Sequence, residues 1–219
     1  MRTNFEYRAA AREKLSDRWN EVAVMGAIVV GLSLLVNVVP DVALDEILSA
    51  WGKLTLSGLG TVVAVLLIAP LEYAMYNTLL MVVRNEETGS LVEKMWSLFK
   101  GNYDRYVVAM VLETLVIVGL SLITFGIAGI IFAYAYKMVP YLLQDYPDLT
   151  PKEALKLSRE MMRGSKWDLF VLDLSFIGWI VLGVLSMGIL LFWITPYIAT
   201  AEAEFYNDLK NEAIVEEDA

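Results

Sequence analysis

The chain has 219 residues, 58% of them hydrophobic, with no Cys and no His, and its mean hydropathy is +0.56. A soluble domain is roughly 45–50% apolar, so the excess points to a membrane protein. The two missing residue types exclude disulfides, thiol nucleophiles, thiolate or imidazole metal sites and Ser-His-Asp triads, and a formal net charge of −9 speaks against a nucleic-acid partner.

In chain order, the opening "MRTNFEYRAAAREKLSDRWN" has no apolar core or small-residue cleavage site, so it does not read as a signal peptide. Its Thr3–Glu6 spacing is that of a capping box, in which hydroxyl and carboxylate satisfy the free N–H groups of a helix start. Residues 22–39 form a first apolar run before Pro40, and residues 58–83 a second. "GLG" at 58–60 is too short for a phosphate loop. Ser90–Glu93 repeats the capping-box spacing, followed by an apolar face of Leu91, Val92, Met95, Trp96 and Phe99 and a glycine stop at Gly101. Thr150–Glu153 repeats it again, with Pro151 at the favoured first position and Ala154, Leu155, Ser158, Met161 and Met162 on one face, up to Gly164. Helices of this kind are expected to lie along a membrane interface.

Runs 106–143 and 168–205 are each about 57 Å long if helical, against a hydrocarbon core of about 30 Å. Each therefore folds back, and each carries a turn signal at its middle, "TFG" at 124–126 and "SMG" at 186–188. The expected fold is an all-α polytopic bundle of about six transmembrane helices in three hairpins, with interfacial amphipathic helices. A second solution has four spans, with re-entrant elements replacing one or both long hairpins. The units 3–83, 90–143 and 150–207 share capping, aromatic and proline placement (Pro70, Pro140 and Pro196), the pattern of a pseudo-threefold repeat. One transmembrane domain covers 1–207, and residues 208–219 read as an acidic, disordered tail. All but Lys53 and Lys137 of the 17 basic residues fall on one side of this layout, which predicts a bacterial cytoplasmic (inner) membrane with both termini cytoplasmic.

Three segments, "GIAGIIFAYAYKMVPYLLQDYPDL" (126–149), "SREMMRGSKWDLFVLDLSFIGW" (158–179) and "MGILLFWITPYIATAEAEFY" (187–206), resemble a family of bacterial integral membrane proteins known only as a domain of unknown function. The resemblance is strong over 126–206 and weaker toward the N-terminus. The family usually has His where this chain has Ser165 and Pro where it has Ala128, so any role of that histidine does not carry over. The resemblance implies a polytopic bacterial membrane protein and supplies no activity.

Four ionisable residues fall within the predicted spans: Glu72, Glu113, Lys137 and Asp173. A charge at the bilayer centre costs about 2.5–3.5 kcal/mol on insertion scales, so such residues face the bundle interior and pair. Asp173 and Glu113 lie about 9–10 Å in from the cytoplasmic side, Lys137 at a similar depth, and Glu72 nearer the midplane. All four fit one polar layer. It is either a structural tie that fixes helix register, with Glu202 and Glu204 emerging into the cytoplasm beyond Pro196, or a cavity holding a cation, a proton or a lipid head group. A basic stripe, Lys152, Lys156, Arg159, Arg163 and Lys166, satisfies the charge rule by itself and also suits anionic lipid. Tyr134, Tyr136, Tyr141 and Tyr146 pack, sit at the interface or line a pocket. With no nucleophile–base pair and no metal cluster, the chain reads as non-enzymatic and free of cofactors. The leading expectation is a protein that binds or transports a lipid or small amphiphile through the polar layer. The alternative is a scaffold or accessory subunit whose partner is another membrane protein.

Overall fold

The computed structural model describes residues 2–37, 60, 62–86 and 88–217. The loop with Lys53, Pro40 and the first two residues of "GLG" lie outside them. All regular structure among the described residues is helical. The elements are α1 (Asn4–Leu15), α2 (Trp19–Asn37), a π-helical turn (Ala64–Ile68) leading into α3 (Ala69–Val83), α4 (Leu91–Thr124), α5 (Ile127–Tyr136), α6 (Val139–Asp145), α7 (Pro151–Met161), α8 (Lys166–Leu174), α9 (Ile177–Leu185) and α10 (Leu191–Glu217).

Helix starts follow local chemistry. In α1 and α7 the boxes form in full: the Thr3 and Thr150 hydroxyls accept from the Glu6 and Glu153 N–H groups, and each glutamate accepts from its threonine N–H. The box expected at Ser90 does not form. A side chain from elsewhere replaces it, because the Leu91 N–H donates to Glu21 Oε2 at 2.8 Å, a carboxylate of α2 set at the positive end of α4. Nor does Gly101 end a helix. α4 continues to Thr124, since glycine costs only about 1 kcal/mol inside a helix and the stripe Leu91, Met95, Phe99, Tyr106 and Ala109 is buried on both sides of it. The two midpoint turn signals mark real breaks. Phe125 and Gly126 have φ of 51° and 91°, Met187 and Gly188 56° and 88°, a left-handed pair that no helix continues through.

Four helical stretches are long and apolar enough to cross a membrane: Trp19–Val36, Ala64–Val83, Leu91–Thr124 and Ile127–Asp145. The α8–α9 pair, bent by 41°, is a fifth if counted as one span. α10, where the sequence places a sixth, fails that test because Glu202 and Glu204 dilute its apolar stretch. Apolar side chains cover much of the outside, Phe125 being 99% and Met187 92% exposed, a surface suited to hydrocarbon rather than to water.

α3 is the hub. It packs against α4, α6 and α10 and is buried nearly all round, from Leu71 and Tyr73 to Val82 and Val83. Such a helix belongs at the centre of a bundle. α10 also packs on α1 and α2. It runs as a helix to Glu217, and Leu209 is buried. Asp208 accepts from Arg2 at 2.7 Å and from Tyr7 at 3.0 Å. Burial works to raise the Asp208 carboxyl, but the hydrogen bonds from Arg2 and Tyr7 outweigh it and hold the group below its ordinary value.

The charged connections meet at one end of the bundle. Arg84 donates to Asp145 Oδ2 at 2.8 Å and to Asn207 at 3.0 Å. Tyr206 and Lys210 donate to the same Asp145 carboxylate. Lys14 reaches Asn85 and Arg18 reaches Thr88. Arg105 donates to the carbonyls of Leu143 and Leu149, where a cation complements the end of α6.

The three prolines mark irregular backbone. A proline leaves the carbonyl four residues back without its helical donor. Before Pro70 the chain is π-helical, and the Tyr103 hydroxyl donates to the freed Leu66 carbonyl at 2.8 Å. Before Pro140 the helix breaks outright, between Tyr136 and Val139. The nearby Ala135 carbonyl accepts from the buried Ser158 hydroxyl of α7 at 2.8 Å. Pro196 is tolerated inside α10, and the freed Phe192 carbonyl faces Gly26 of α2, where an added Cβ would stand 1.9 Å from its oxygen.

Gly26→Ala is therefore expected to destabilise the protein by about 1–3 kcal/mol, the usual cost of overpacking, because two backbones must part. Gly129→Ala serves as the comparison. Its Cβ would meet the Ser121 hydroxyl at 1.8 Å, a side chain free to rotate, so its effect is smaller. Thermal midpoints of both variants in one detergent check the order.

Candidate functional site

The break ahead of Pro140 places Lys137 between α5 and α6, in the middle of the packed elements. Its partner is a residue the sequence reading placed in the cytoplasm. Lys137 Nζ lies 2.9 Å from Glu202 Oε1, and Glu202 is 2% exposed. The pair is lopsided, since the Lys137 side chain keeps 33% of its surface open and that of Glu202 only 3%. Glu204 does not emerge either. It is buried and accepts from Arg2 at 2.8 Å. The reason is that Pro196 does not end α10, so the helix carries both glutamates into the core. The readable signal was the alternation of small residues around them: Ala199, Ala201 and Ala203 are all buried, and small residues are what close helix packing selects in membranes.

Each of the four predicted polar-layer residues has a definite place. Glu113 Oε2 accepts from the Tyr73 hydroxyl of α3 at 2.6 Å. Asp173 Oδ2 accepts from the Tyr134 hydroxyl of α5 at 3.1 Å. Glu72, Glu113 and Asp173 all lie within electrostatic reach of Lys137, though its direct contact is with Glu202. The other Asp173 oxygen, Oδ1, is buried and has no hydrogen-bond partner among the described residues. The layer thus gathers side chains from α3, α4, α8, α10 and the α5–α6 break. Among the described residues no three Asp or Glu side chains converge as a metal site would require.

An apolar groove of about 320 Å³ opens beside this layer, lined by Ile130, Ile131, Tyr134, Lys166, Trp167 and Phe170. It lies between α5 and α8. Tyr134 meets Phe170 edge-on at 5.8 Å, and Trp167 lies 5.1 Å from Phe170. One wall residue, Tyr134, is also the hydrogen-bond donor to Asp173, so groove and polar layer share a side chain. Of the basic stripe, only Lys166 reaches the groove. Lys152, Lys156 and Arg159 are exposed on α7, opposite its buried Ala154, Leu155 and Ser158, and Arg163 is exposed in the turn that follows. The Lys156–Glu160 pair, 4.0 Å apart and exposed, contributes little.

These features define an all-helical protein with four or five stretches able to cross a membrane and a paired polar layer in its core. The chain belongs to the family described as "Protein of unknown function (DUF975)", whose pattern matches residues 104–213. The matched segment holds Glu113, Lys137, Asp173 and Glu202 and leaves out Glu72. No curated protein and no solved structure matches the chain.

Removing one partner of a buried ion pair strands the other and costs about 3–5 kcal/mol. Lys137→Met is expected to lower stability by about that amount, because Glu202 is the more buried partner. Lys137→Met with Glu202→Gln is expected to be more stable than Lys137→Met alone. A double-mutant cycle on thermal or denaturant unfolding reads the coupling, and simple additivity would show that the pair contributes nothing.

Proposed function

We propose that this is a non-enzymatic inner-membrane protein that binds an amphiphile, a lipid or a molecule of similar build, in the groove between α5 and α8. The observation that carries the reading is the composition of that groove. Its walls are apolar and aromatic, a lysine stands at the first residue of α8, and Tyr134 ties it to Asp173. Such a site accepts an apolar body beside a polar or anionic head. Small-molecule sites are mostly apolar with a few placed polar groups, and this groove has that balance.

In this reading the chain passes through the bilayer six times, with α8–α9 and α10 as the last two passes and both termini in the cytoplasm. The gathering of Arg2, Lys14, Arg18, Arg84, Arg105 and Lys210 at one end supports that orientation, since basic residues concentrate on the cytoplasmic side. Three returning arms, each with a proline (Pro70, Pro140 and Pro196), support a distant threefold repeat. α1 and α7, each with charged outer faces and buried Ala and Leu, take the interfacial positions. A scaffold role is the second reading, favoured by the direct Lys137–Glu202 pair, which satisfies its charges without a ligand.

The absence of Cys makes topology easy to test. A single Cys at Asp148 is expected to react with a membrane-impermeant maleimide only after cells are permeabilised, and one at Met187 without permeabilisation. The opposite pattern inverts the orientation, and equal labelling of both positions rejects six passes.

For the ligand, native mass spectrometry of the full-length protein purified in mild detergent is expected to show bound lipid. Ile131→Trp fills the groove, and Lys166→Glu reverses its charge. Both should reduce the bound fraction several-fold with little change in thermal midpoint. Unchanged lipid in both variants would leave the scaffold reading standing.

A further inference from the structure

α1 buries Tyr7, Ala11 and Leu15 against the bundle. A second face of the same helix, at the spacing of positions 5, 8, 9, 12 and 13, fronts a cavity of about 360 Å³ that Tyr197 of α10 closes from the other side. A cavity of that volume is large enough for a small ligand. Phe5, Ala9 and Tyr197 give it apolar surface, and Arg8, Arg12 and Glu13 give it charge.

Arg8 is held in this wall. Its Nη1 donates to the Ser175 carbonyl at 3.2 Å, and its guanidinium lies over the Phe176 ring at 5.3 Å. Tyr197 braces both: its hydroxyl donates to the Arg8 carbonyl at 3.0 Å, and its ring meets Phe176 edge-on at 5.1 Å. The bond to Ser175 is the one hydrogen bond the guanidinium makes among the described residues, and Nε is buried without an acceptor. A guanidinium has five N–H donors, so Arg8 is positioned but short of acceptors. Arg12, one turn on, is exposed and has no ion pair or side-chain hydrogen bond among the described residues. Glu13 is the one acid on the wall, which leaves a surplus of one positive charge.

We propose that this cavity binds the phosphodiester head of an anionic phospholipid, with Arg8 and Arg12 on the phosphate. Guanidinium groups suit phosphate oxygens, and one phosphodiester balances the surplus charge. Depth selects a lipid over a soluble anion. Ser175 lies two residues past Asp173, inside the last apolar run, so Arg8 reaches to the level where the chain enters the bilayer. Phe5 is 78% exposed, and Ile177 and Val181, at the start of α9 next to Phe176, are 56% and 52% exposed. Acyl chains cover such side chains and water does not. The site rests on the interfacial position of α1 in the reading above. It shares no lining residue with the groove between α5 and α8.

The test uses the full-length protein in mild detergent, with that groove filled by Ile131→Trp. Native mass spectrometry reads the binding of added dioleoylphosphatidylglycerol and, in parallel, of dioleoylphosphatidylcholine, whose choline cancels the phosphate charge. The protein is expected to retain one phosphatidylglycerol several-fold more tightly than phosphatidylcholine. Arg12→Gln, which breaks no contact within the protein, should weaken that binding several-fold at an unchanged thermal midpoint, and adding Arg8→Gln should abolish the preference. Inorganic phosphate at the lipid's concentration should not displace the lipid. Equal binding of the two lipids, binding indifferent to Arg12→Gln, or displacement by inorganic phosphate each overturns the proposal. If Ile131→Trp alone removes all bound lipid, the α1 site is overturned and the groove reading stands. If Ile131→Trp removes none and Arg12→Gln does, the groove reading fails and the α1 site stands.

Discussion

The contact between Lys137 and Glu202 constrains much of the rest of the structure. A lysine in an apolar bundle must keep its charge paired or lose it, and here the pairing reaches from the α5–α6 break to the middle of α10. That single link fixes the register of α10 against the returning arm of α5–α6. The small residues Ala199, Ala201 and Ala203 let α10 approach its neighbours closely. The acid-rich part of α10, which would be unstable facing lipid, is held inside by partners at two levels: Lys137 on Glu202 and Arg2 on Glu204. α1 is drawn into place by the same requirement, with Arg2 bridging Glu204 and Asp208.

The prolines make the polar layer possible. In hydrocarbon every backbone polar group must be satisfied within the protein, so a proline in a spanning helix needs an outside donor or a tight neighbour for the carbonyl it frees. Tyr103 supplies a donor at Leu66, Ser158 supplies one beside the Pro140 break, and Gly26 brings a second backbone against Phe192. Broken backbone inside a membrane protein belongs where it is buried in protein or lines a cavity. Here the break lies next to Lys137. A continuous α5–α6 helix would aim this residue differently.

Much of this was legible in the residues. The turn signals at "TFG" and "SMG" and the capping boxes at Thr3 and Thr150 follow from local rules, because each depends on neighbours within four residues. What was hidden depends on distant partners. At the start of α4 the Leu91 N–H is taken by Glu21, seventy residues away in sequence, where Ser90 predicts a local box. Gly101 was carried through because the buried stripe of α4 outweighs the cost of one glycine. Glu202 and Glu204 read as emerging beyond Pro196 because nothing local shows the partners that bury them, Lys137 on the α5–α6 break and Arg2 ahead of α1. In each case a tertiary contact outweighed a local preference of about a kilocalorie per mole.

Tyr134 connects the two halves of the site. Its ring forms part of the groove wall against Phe170, and its hydroxyl is the donor to Asp173 Oδ2. A ring displaced from the groove wall would give up that hydrogen bond, so the wall and the polar layer hold one another in place. Two residues beyond Asp173, at Ser175, α8 and α9 meet at a bend of 41°. Arg8 donates to the Ser175 carbonyl at 3.2 Å and lies over the Phe176 ring at 5.3 Å. α1 thereby braces the bend next to the polar layer, although it contributes no residue to that layer.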